Sequence, residues 1–471
     1  MALSFEETIN SLPPVWPDDL LPAIQQENAQ RPASIVVLDD DPTGTQTVHD
    51  VPVVTNWDLP TIIEEFQRKT PLFYVLTNSR SLPGTQAIDL ARKAGKNILE
   101  ASRRTHRAFE IISRSDSTLR GHFPAEVDAL IDVLEMQRAV WLMIPFFEEG
   151  GRYTINDIHY VKETQNLIPA AETPFAKDVV FGYAHSDLRR WVEEKTQGRC
   201  PAESVQSLSL DAIRKKGPDA VASKLAGCEP GSVCVVNAAD YRDLEVVTLG
   251  LLQAQRQGQR FLFRTAASFV RVRAGLKGRP LLTADEMNLT TGSSGLIVVG
   301  SHVPRSSEQL NHVLQHTNVY RIELDVEALL SMPARDELIR TTVERIENVL
   351  SEGKDIVVYT SRKLITGNDD ESSLHIGEQV SRALVEIVRS MHVRPGYILA
   401  KGGITSSDIA TKALNITRAQ VLGQILPGVP VWRTGPESTF PDLPYIVFPG
   451  NVGEMDAITH VVQNLRLQAS S

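Results

Sequence analysis

Ten short, mainly apolar runs, most of them rich in β-branched residues, do most to narrow the folds open to this chain. Each is followed by Gly, Ser or Asp and then by a helical pattern. Six lie in the first part, at Ser34–Leu38, Leu72–Leu76, Phe109–Ile112, Ala139–Ile144, Ser232–Val236 and Arg260–Phe263. Four more follow at Leu296–Val299, Ile356–Tyr359, Tyr397–Ala400 and Tyr445–Phe448. A strand apolar on both faces must be covered on both faces. Such strands alternating with amphipathic helices predict an α/β fold built on mainly parallel sheets flanked by helices.

The pattern lapses between Arg271 and Ser294, where Gly275, Gly278 and Pro280 precede Thr290-Thr-Gly-Ser-Ser-Gly295. At 471 residues the chain is about twice the size at which a single core stops growing. Two domains are therefore expected, over 1–275 and 295–471, joined by a linker over 276–294. Residues 146–230 carry the least regular pattern, and no topology is assigned to them.

Composition excludes several classes. The hydrophobic fraction of 42% and the charged fraction of 23% are those of an ordinary globular protein. A formal net charge of −10, without a Lys/Arg stripe, argues against nucleic acid and anionic membranes as partners. The longest apolar run, Ala139 to Phe147, is broken by Pro145 and falls far short of the ~20 residues of a membrane helix. Three cysteines, Cys200, Cys228 and Cys234, form no CxxC pair, and eleven scattered histidines show no metal spacing. With no basic and apolar leader in Met-Ala-Leu-Ser-Phe-Glu-Glu, a reducing, cytoplasmic setting is expected. Oligomeric state stays open, a homo-oligomer included.

In open α/β sheets ligands bind where strands end and helices begin, so the polar clusters there are the candidate sites. The first strand runs into Asp39-Asp40-Asp41-Pro42-Thr43-Gly44. Three adjacent carboxylates repel one another and require cations, protons or strong donors nearby. A helix N-terminal acidic turn would account for one or two of them, not three. The second strand leads to Thr77-Asn78-Ser79-Arg80, and the third to Ser113-Arg114-Ser115-Asp116-Ser117-Thr118-Leu119-Arg120-Gly121-His122. Arg114 and Arg120 suit a bidentate grip on a substrate carboxylate, with Arg80 as a further cation. An internal Arg–Asp pair holding the loop is the structural alternative, and the two are compatible. Farther on, Gly300-Ser301-His302, Lys401-Gly402-Gly403-Ile404-Thr405-Ser406 and Gly450-Asn451-Val452-Gly453 each follow a strand. Glycines and free N–H groups at such turns receive phosphate, but no GxxxxGK[ST] or GxGxxG motif is present.

These segments, with Arg264-Thr265-Ala266-Ala267-Ser268, occur in order over almost the whole chain, and they resemble the four-carbon acid sugar kinase family. The resemblance implies a sugar-acid-binding N-terminal domain, a nucleotide-binding C-terminal domain and a reaction in the cleft between them. It implies ATP-dependent phosphorylation of a terminal hydroxyl of a threonate, erythronate or oxo-tetronate, with Mg²⁺. Substrate would meet Asp39, Asp41, Arg80, Arg114, Ser117, Thr118 and Arg120. The base would be Asp116 or one of Asp39–Asp41, with Asp116 and Asp40 the catalytic candidates. The nucleotide would meet Ser301, Gly402, Gly403, Ile404, Thr405, Ser406, Gly450 and Asn451. Many members carry Glu where this chain has Ile404, which offers only backbone there. The run Pro145-Phe-Phe-Glu-Glu-Gly-Gly-Arg-Tyr-Thr154, with Asn156, Asp157 and His159, looks like a subgroup elaboration. Metal ligands are not assigned.

Two rivals compete. Asp39-x-Asp41-x-Thr43 formally matches the nucleophile motif of haloacid-dehalogenase-like phosphatases, in which Asp39 would carry the phosphate; it leaves the later glycine loops without a role. A non-catalytic sugar-acid-binding protein would need Arg114 but no nucleotide loops.

Overall fold

The computed structural model describes residues 3–290, 292–301, 303–362 and 370–468. Thr291 of the expected linker, His302 of the Gly300-Ser301-His302 loop, and residues 1–2, 363–369 and 469–471 of the expected domains lie outside the described residues. Two compact units emerge: Met1–Val48 with Asn56–Gly278, and His49–Thr55 with Arg279–Ser471. The short segment His49–Thr55 is the one departure from a simple division along the chain.

The first unit is built on seven parallel strands. Their order is Gln206–Leu208, Val233–Val236, Val140–Ile144, Phe261–Thr265, Phe109–Arg114, Ser34–Asp39 and Leu72–Leu76. The central ones are buried nearly from end to end, as their unbroken apolar sequences require. Register brings four carboxyl ends level: Leu76 lies opposite Asp39, Asp39 opposite Arg114, and Arg114 opposite Thr265. Helices return the chain between strands. Gly84–Thr105 buries Ala87, Ala91, Ala94, Gly95, Ile98 and Ala101 along one face, a helical spacing of small residues.

Residues 146–230 lack the strand–helix rhythm because they open on a different motif. Four short antiparallel strands form a separate sheet in the order Leu3–Ser4, Asn166–Pro169, Ile158–Glu163 and Arg152–Ile155. The last two form a hairpin whose linking residues, Asn156 and Asp157, have φ of 51° and 64°. Positive φ at both central positions marks a type I′ turn, which Asn and Asp tolerate.

The second unit orders its strands Val51–Val54, Arg418–Leu426, Val429–Thr434, Pro444–Phe448, Tyr397–Lys401, Gly295–Val299, Ile356–Thr360 and Tyr320–Leu324. The last five are parallel; the first three are joined antiparallel, to each other and to the fourth. Arg418–Leu426 alternates half-buried and buried residues. The core gathers Ile297, Val299, Leu399, Ile446 and Phe448 from the parallel strands with Leu310, Val313, Ile458 and Val461 from helices. Among the described residues, no helix is long and apolar enough to cross a membrane.

Candidate active site

In the first unit the carboxyl ends of three adjacent strands deliver one interlocked charge cluster. Asp39 closes its strand and accepts a hydrogen bond from Arg114 Nη1 at 2.8 Å. Asp40 Oδ1 lies 3.6 Å from the same nitrogen, and its Oδ2 accepts a hydrogen bond from Ser115 Oγ. Arg80 reaches both remaining acids, pairing with Asp41 and lying 3.3 Å from Asp116 Oδ1. Arg120 Nε donates to Asp116 Oδ2 at 2.8 Å, and Thr118 Oγ1 donates to the same oxygen. The loops are pinned by their backbones: Thr77 N donates to Asp39 O at 2.9 Å, and Ser115 N to Thr265 O at 2.9 Å. Asp41 also caps the short turn Pro42–Thr45 by accepting from Thr43 N at 2.8 Å.

The cluster has a closed half and an open half. Asp39, Asp40 and Arg114 are 2–4% exposed, whereas Asp41, Asp116, Arg80 and Arg120 keep 12–24% of their side-chain surface. A cavity of about 10 Å³ opens within the closed half, lined by Asp40, Thr77, Arg114 and Glu126.

Electrostatics follow the same division. Burial, reinforced by Asp40 and Asp41, outweighs the Arg114 pairing and pushes Asp39 up to about 7. Glu126 is likewise raised to about 7, by burial first and by Asp40 second. In the open half burial acts the same way but loses. Arg120 and Arg80 hold Asp116 well below the usual carboxylate range, and Arg80 and Arg114 hold Asp41 below it.

All nine acids, arginines and hydroxyl residues expected here from the sequence therefore meet, Asp39, Asp40, Asp41, Arg80, Arg114, Asp116, Ser117, Thr118 and Arg120. Ser117 contributes through its backbone, accepting from His159 Nε2 at 2.7 Å. Arg114, expected to grip a carboxylate, makes the internal pair set beside that role.

The sequence reading missed the residues that the hairpin segment and its sequel bring to these loops. Tyr183 Oη donates to Thr118 O at 2.8 Å. Asp178 lies 3.6 Å from Arg120. Phe175 lies beneath both Arg120 and Arg152, at 5.2 and 5.7 Å from its ring centre. Arg264 donates to Arg120 O at 2.9 Å. Phe175, Asp178 and Tyr183 carry no motif, whereas Arg152 and His159 lie in a run, and Arg264 in a segment, that the sequence had already singled out.

The second unit gathers the expected glycine loops at the carboxyl ends of three neighbouring parallel strands, at Val299, Lys401 and Phe448. Gly402 has φ 107°, a conformation that L side chains rarely adopt, and a Cβ there would stand 3.0 Å from Ser301 Cβ. Ser306 Oγ donates to Gly450 O at 3.3 Å. The hydroxyl of Ser406 turns back onto Gly402 O, and Ile404 is 61% exposed. Thr405 is nearly buried and Asn451 exposed. Two further residues frame the loops. Arg362 Nη1 donates to Ser301 O at 2.8 Å. Lys401, fully buried, donates to Pro449 O and, at 3.3 Å, to Gly450 O.

Two family descriptions match this chain in succession: a sugar-binding N-terminal domain over residues 35–273 and a nucleotide-binding C-terminal domain over residues 296–458. The chain belongs to the four-carbon acid sugar kinase family. A D-erythronate kinase of Heliobacterium modesticaldum is 21% identical to it over 93% of this chain and 98% of that protein. A D-threonate kinase of Bordetella bronchiseptica is 24% identical over 85% and 87%. A solved Salmonella typhimurium LT2 protein, provisionally named a tRNA synthase, matches with a TM-score of 0.67 at 18% identity, covering 91% of this chain and 98% of that one. That likeness speaks for the fold alone. The family's two-domain description accounts for the glycine loops, which a phosphatase built on Asp39 leaves idle. Asp39 is also 2% exposed and engaged by Arg114, a poor position for a nucleophile.

Proposed function

We propose that this kinase transfers the terminal phosphoryl group of ATP, with Mg²⁺, to the terminal hydroxyl of a four-carbon sugar acid of the threonate, erythronate or oxo-tetronate kind. The observation that carries the reading is Arg80 set between Asp41 and Asp116, two carboxylates that keep part of their surface open. Ionised carboxylates held by arginines accept hydrogen bonds from sugar hydroxyls without first having to lose a proton. The names of the two enzyme relatives support the substrate class.

In this reading Asp116 accepts the hydrogen bond of the attacking hydroxyl. Its depressed basicity suits phosphoryl transfer through a loose transition state, in which positioning and charge neutralisation matter more than early proton removal. Asp40, with Ser115, and Asp39 hold Arg114 and the loop carrying Asp116 in place. Asp41, Ser117, Thr118 and Arg120 shape the sugar site. ATP is met by backbone groups of Ser301, Gly402 to Ser406, Gly450 and Asn451, since the Ser406 hydroxyl is engaged and Ile404 has no polar side chain. Mg²⁺ takes hard oxygen ligands and draws most of them from phosphates and water; Asp41 and Asp116 are the partly open carboxylates that fit it. Bound, it would neutralise charge on the phosphates.

The test is ADP release with Mg²⁺ and ATP over a panel of four-carbon sugar acids, with the phosphate position of each product determined. Phosphate on the terminal oxygen of one of these acids, formed only with ATP, is expected. A nucleotide-independent phosphoenzyme at Asp39, or turnover of phosphate esters without ATP, would overturn the reading in favour of a phosphatase.

A further inference from the structure

One arginine beside this site has no electrostatic match. Arg152 begins the strand Arg152–Ile155 and is 9% exposed. Its backbone is fixed by two hydrogen bonds with Phe147, Arg152 N to Phe147 O at 2.8 Å and Phe147 N to Arg152 O at 3.0 Å. Its guanidinium shares the Phe175 ring with Arg120. Its Nε has no hydrogen-bond partner, and among the described residues Arg152 makes no ion pair.

The neighbouring arginines are different. Arg114 has Asp39 and Asp40, Arg80 has Asp41 and Asp116, and Arg120 has Asp116 and Asp178. Arg264, also without a carboxylate, at least donates to a carbonyl. An unpaired guanidinium under this much burial is costly, because desolvation is not offset by a counter-charge. The cost shows in the guanidinium itself: burial pulls Arg152 below its ordinary range, although Asp116 and Glu163 act to raise it. Arginine still stays charged. A charge left in this state is complemented when an anion arrives.

The geometry indicates what that anion is. Two guanidinium groups packed against the same Phe175 ring, one of them without an ion-pair partner, offer planar donor forks that suit the two oxygens of a carboxylate. Asp116, bound to Arg120, is at hand as an acceptor for hydroxyls. Resting on the sugar-acid kinase reading above, we propose that Arg152, with Arg120 beside it, holds the carboxylate of the substrate and makes the site select an acid over its uncharged analogue. Arg114, whose charge is already matched by Asp39 and Asp40, then serves the loop rather than the ligand.

The experiment compares full-length wild type, Arg152→Met and Arg152→Lys. Each is assayed by ADP release with the accepted four-carbon acid and with its primary amide, and by calorimetric binding of acid and amide without nucleotide. Each is also melted without ligand. Arg152→Met should raise KM for the acid by about 10- to 100-fold, the range for a lost charged hydrogen-bonding partner. It should erase the preference for acid over amide and leave KM for ATP unchanged. Its melting temperature should match or exceed that of wild type, because an uncompensated charge has gone. Arg152→Lys should regain part of the preference, and it serves as the test if the Met variant does not fold. An unchanged acid-to-amide ratio, an effect on ATP in place of the acid, or a lower melting temperature with unaltered KM would overturn the proposal. If wild type releases no ADP with any four-carbon acid, the kinase reading fails. The calorimetric arm still decides whether Arg152 holds a carboxylate.

Discussion

Gly44 lies so close over Asp39 that a Cβ atom on it would stand 2.0 Å from Asp39 Oδ2. The glycine of the Asp-Pro-Thr-Gly run is thus set by the carboxylate five residues earlier, not by its own backbone angles. Asp39 cannot give way easily, being buried and bonded to Arg114. Gly44→Ala should therefore displace the Asp39–Arg114 pair, destabilise the first unit by about 1–3 kcal/mol as overpacking does, and lower kcat/KM by at least about 10-fold. Denaturant unfolding and steady-state kinetics check both. An alanine variant with wild-type stability and activity would show that the pair is not fixed by this contact.

Asp39 also gives the first unit a pH signature. Its folded value, about 7, stands above its ordinary value of 3.8. Between those limits the unfolded chain has lost the proton that the folded chain keeps, so this contribution is fully present below pH 4 and is lost as pH rises through 7. Asp39→Asn cannot titrate. The difference in stability, wild type minus variant, should fall from pH 4 to pH 7 and be level on either side. Glu126, raised in the same sense, is present in both proteins and cancels. A difference that rises with pH over this window would mean that the Arg114 pairing, not burial, governs Asp39.

Much of this arrangement can be read from residues alone, and the reason is local. The strands ending at Asp39, Arg114 and Lys401 are mainly apolar, and their polar loops follow at once. Within each unit, parallel topology then places such loops on one edge of that unit's parallel strands. The arrangement within the cluster was not legible, because sequence adjacency does not say that Arg80 faces Asp41 and Asp116 while Arg114 faces Asp39. Phe175, Asp178 and Tyr183 were missed because they lie in the irregular stretch after the antiparallel strands, a short turn over Pro174–Lys177 and a loop, which has no period to read. The turn at Asn156-Asp157 was a visible signal between the alternating residues of Arg152–Ile155 and Ile158–Glu163. The hairpin of Arg418–Leu426 and Val429–Thr434 was equally readable from its alternation.

The two catalytic candidates should separate in kinetics. Asp116 has Arg80 and Arg120 as partners and keeps part of its surface, whereas Asp40 is buried with Arg114 and Ser115. Asp116→Asn should lower kcat by roughly 10²–10⁴-fold with ATP binding nearly intact. Because Asp116 is held far below the usual range, the acid limb of the wild-type pH–rate profile should not belong to it. Asp40→Asn should instead act mainly on stability. A variant at Asp116 with normal kcat, or an acid limb that disappears in a residually active Asp116→Glu protein, would move the role elsewhere.

Lys401 provides a test confined to the second unit. It is fully buried, lies 4.3 Å from the Phe448 ring centre and donates to the carbonyls of Pro449 and Gly450. Burial first, and then Arg305, lower its amine from 10.5 to about 7. Between those values the unfolded chain holds a proton that the folded chain has released, so stability should rise with pH from about 7 to 10.5. Below pH 7 both states carry the proton, and the cost of burying it is present in full. Of the five tryptophans, Trp432 alone belongs to this unit and is buried, so in a protein with Trp16, Trp57, Trp141 and Trp191 replaced by Phe its fluorescence reports this unit. In that background, the unfolding midpoint should climb through this window with Lys401 present and climb less in Lys401→Met. Equal climbs in the two proteins would show that Lys401 keeps its proton in the folded state, through charge-assisted bonds to Pro449 and Gly450 strong enough to offset its burial.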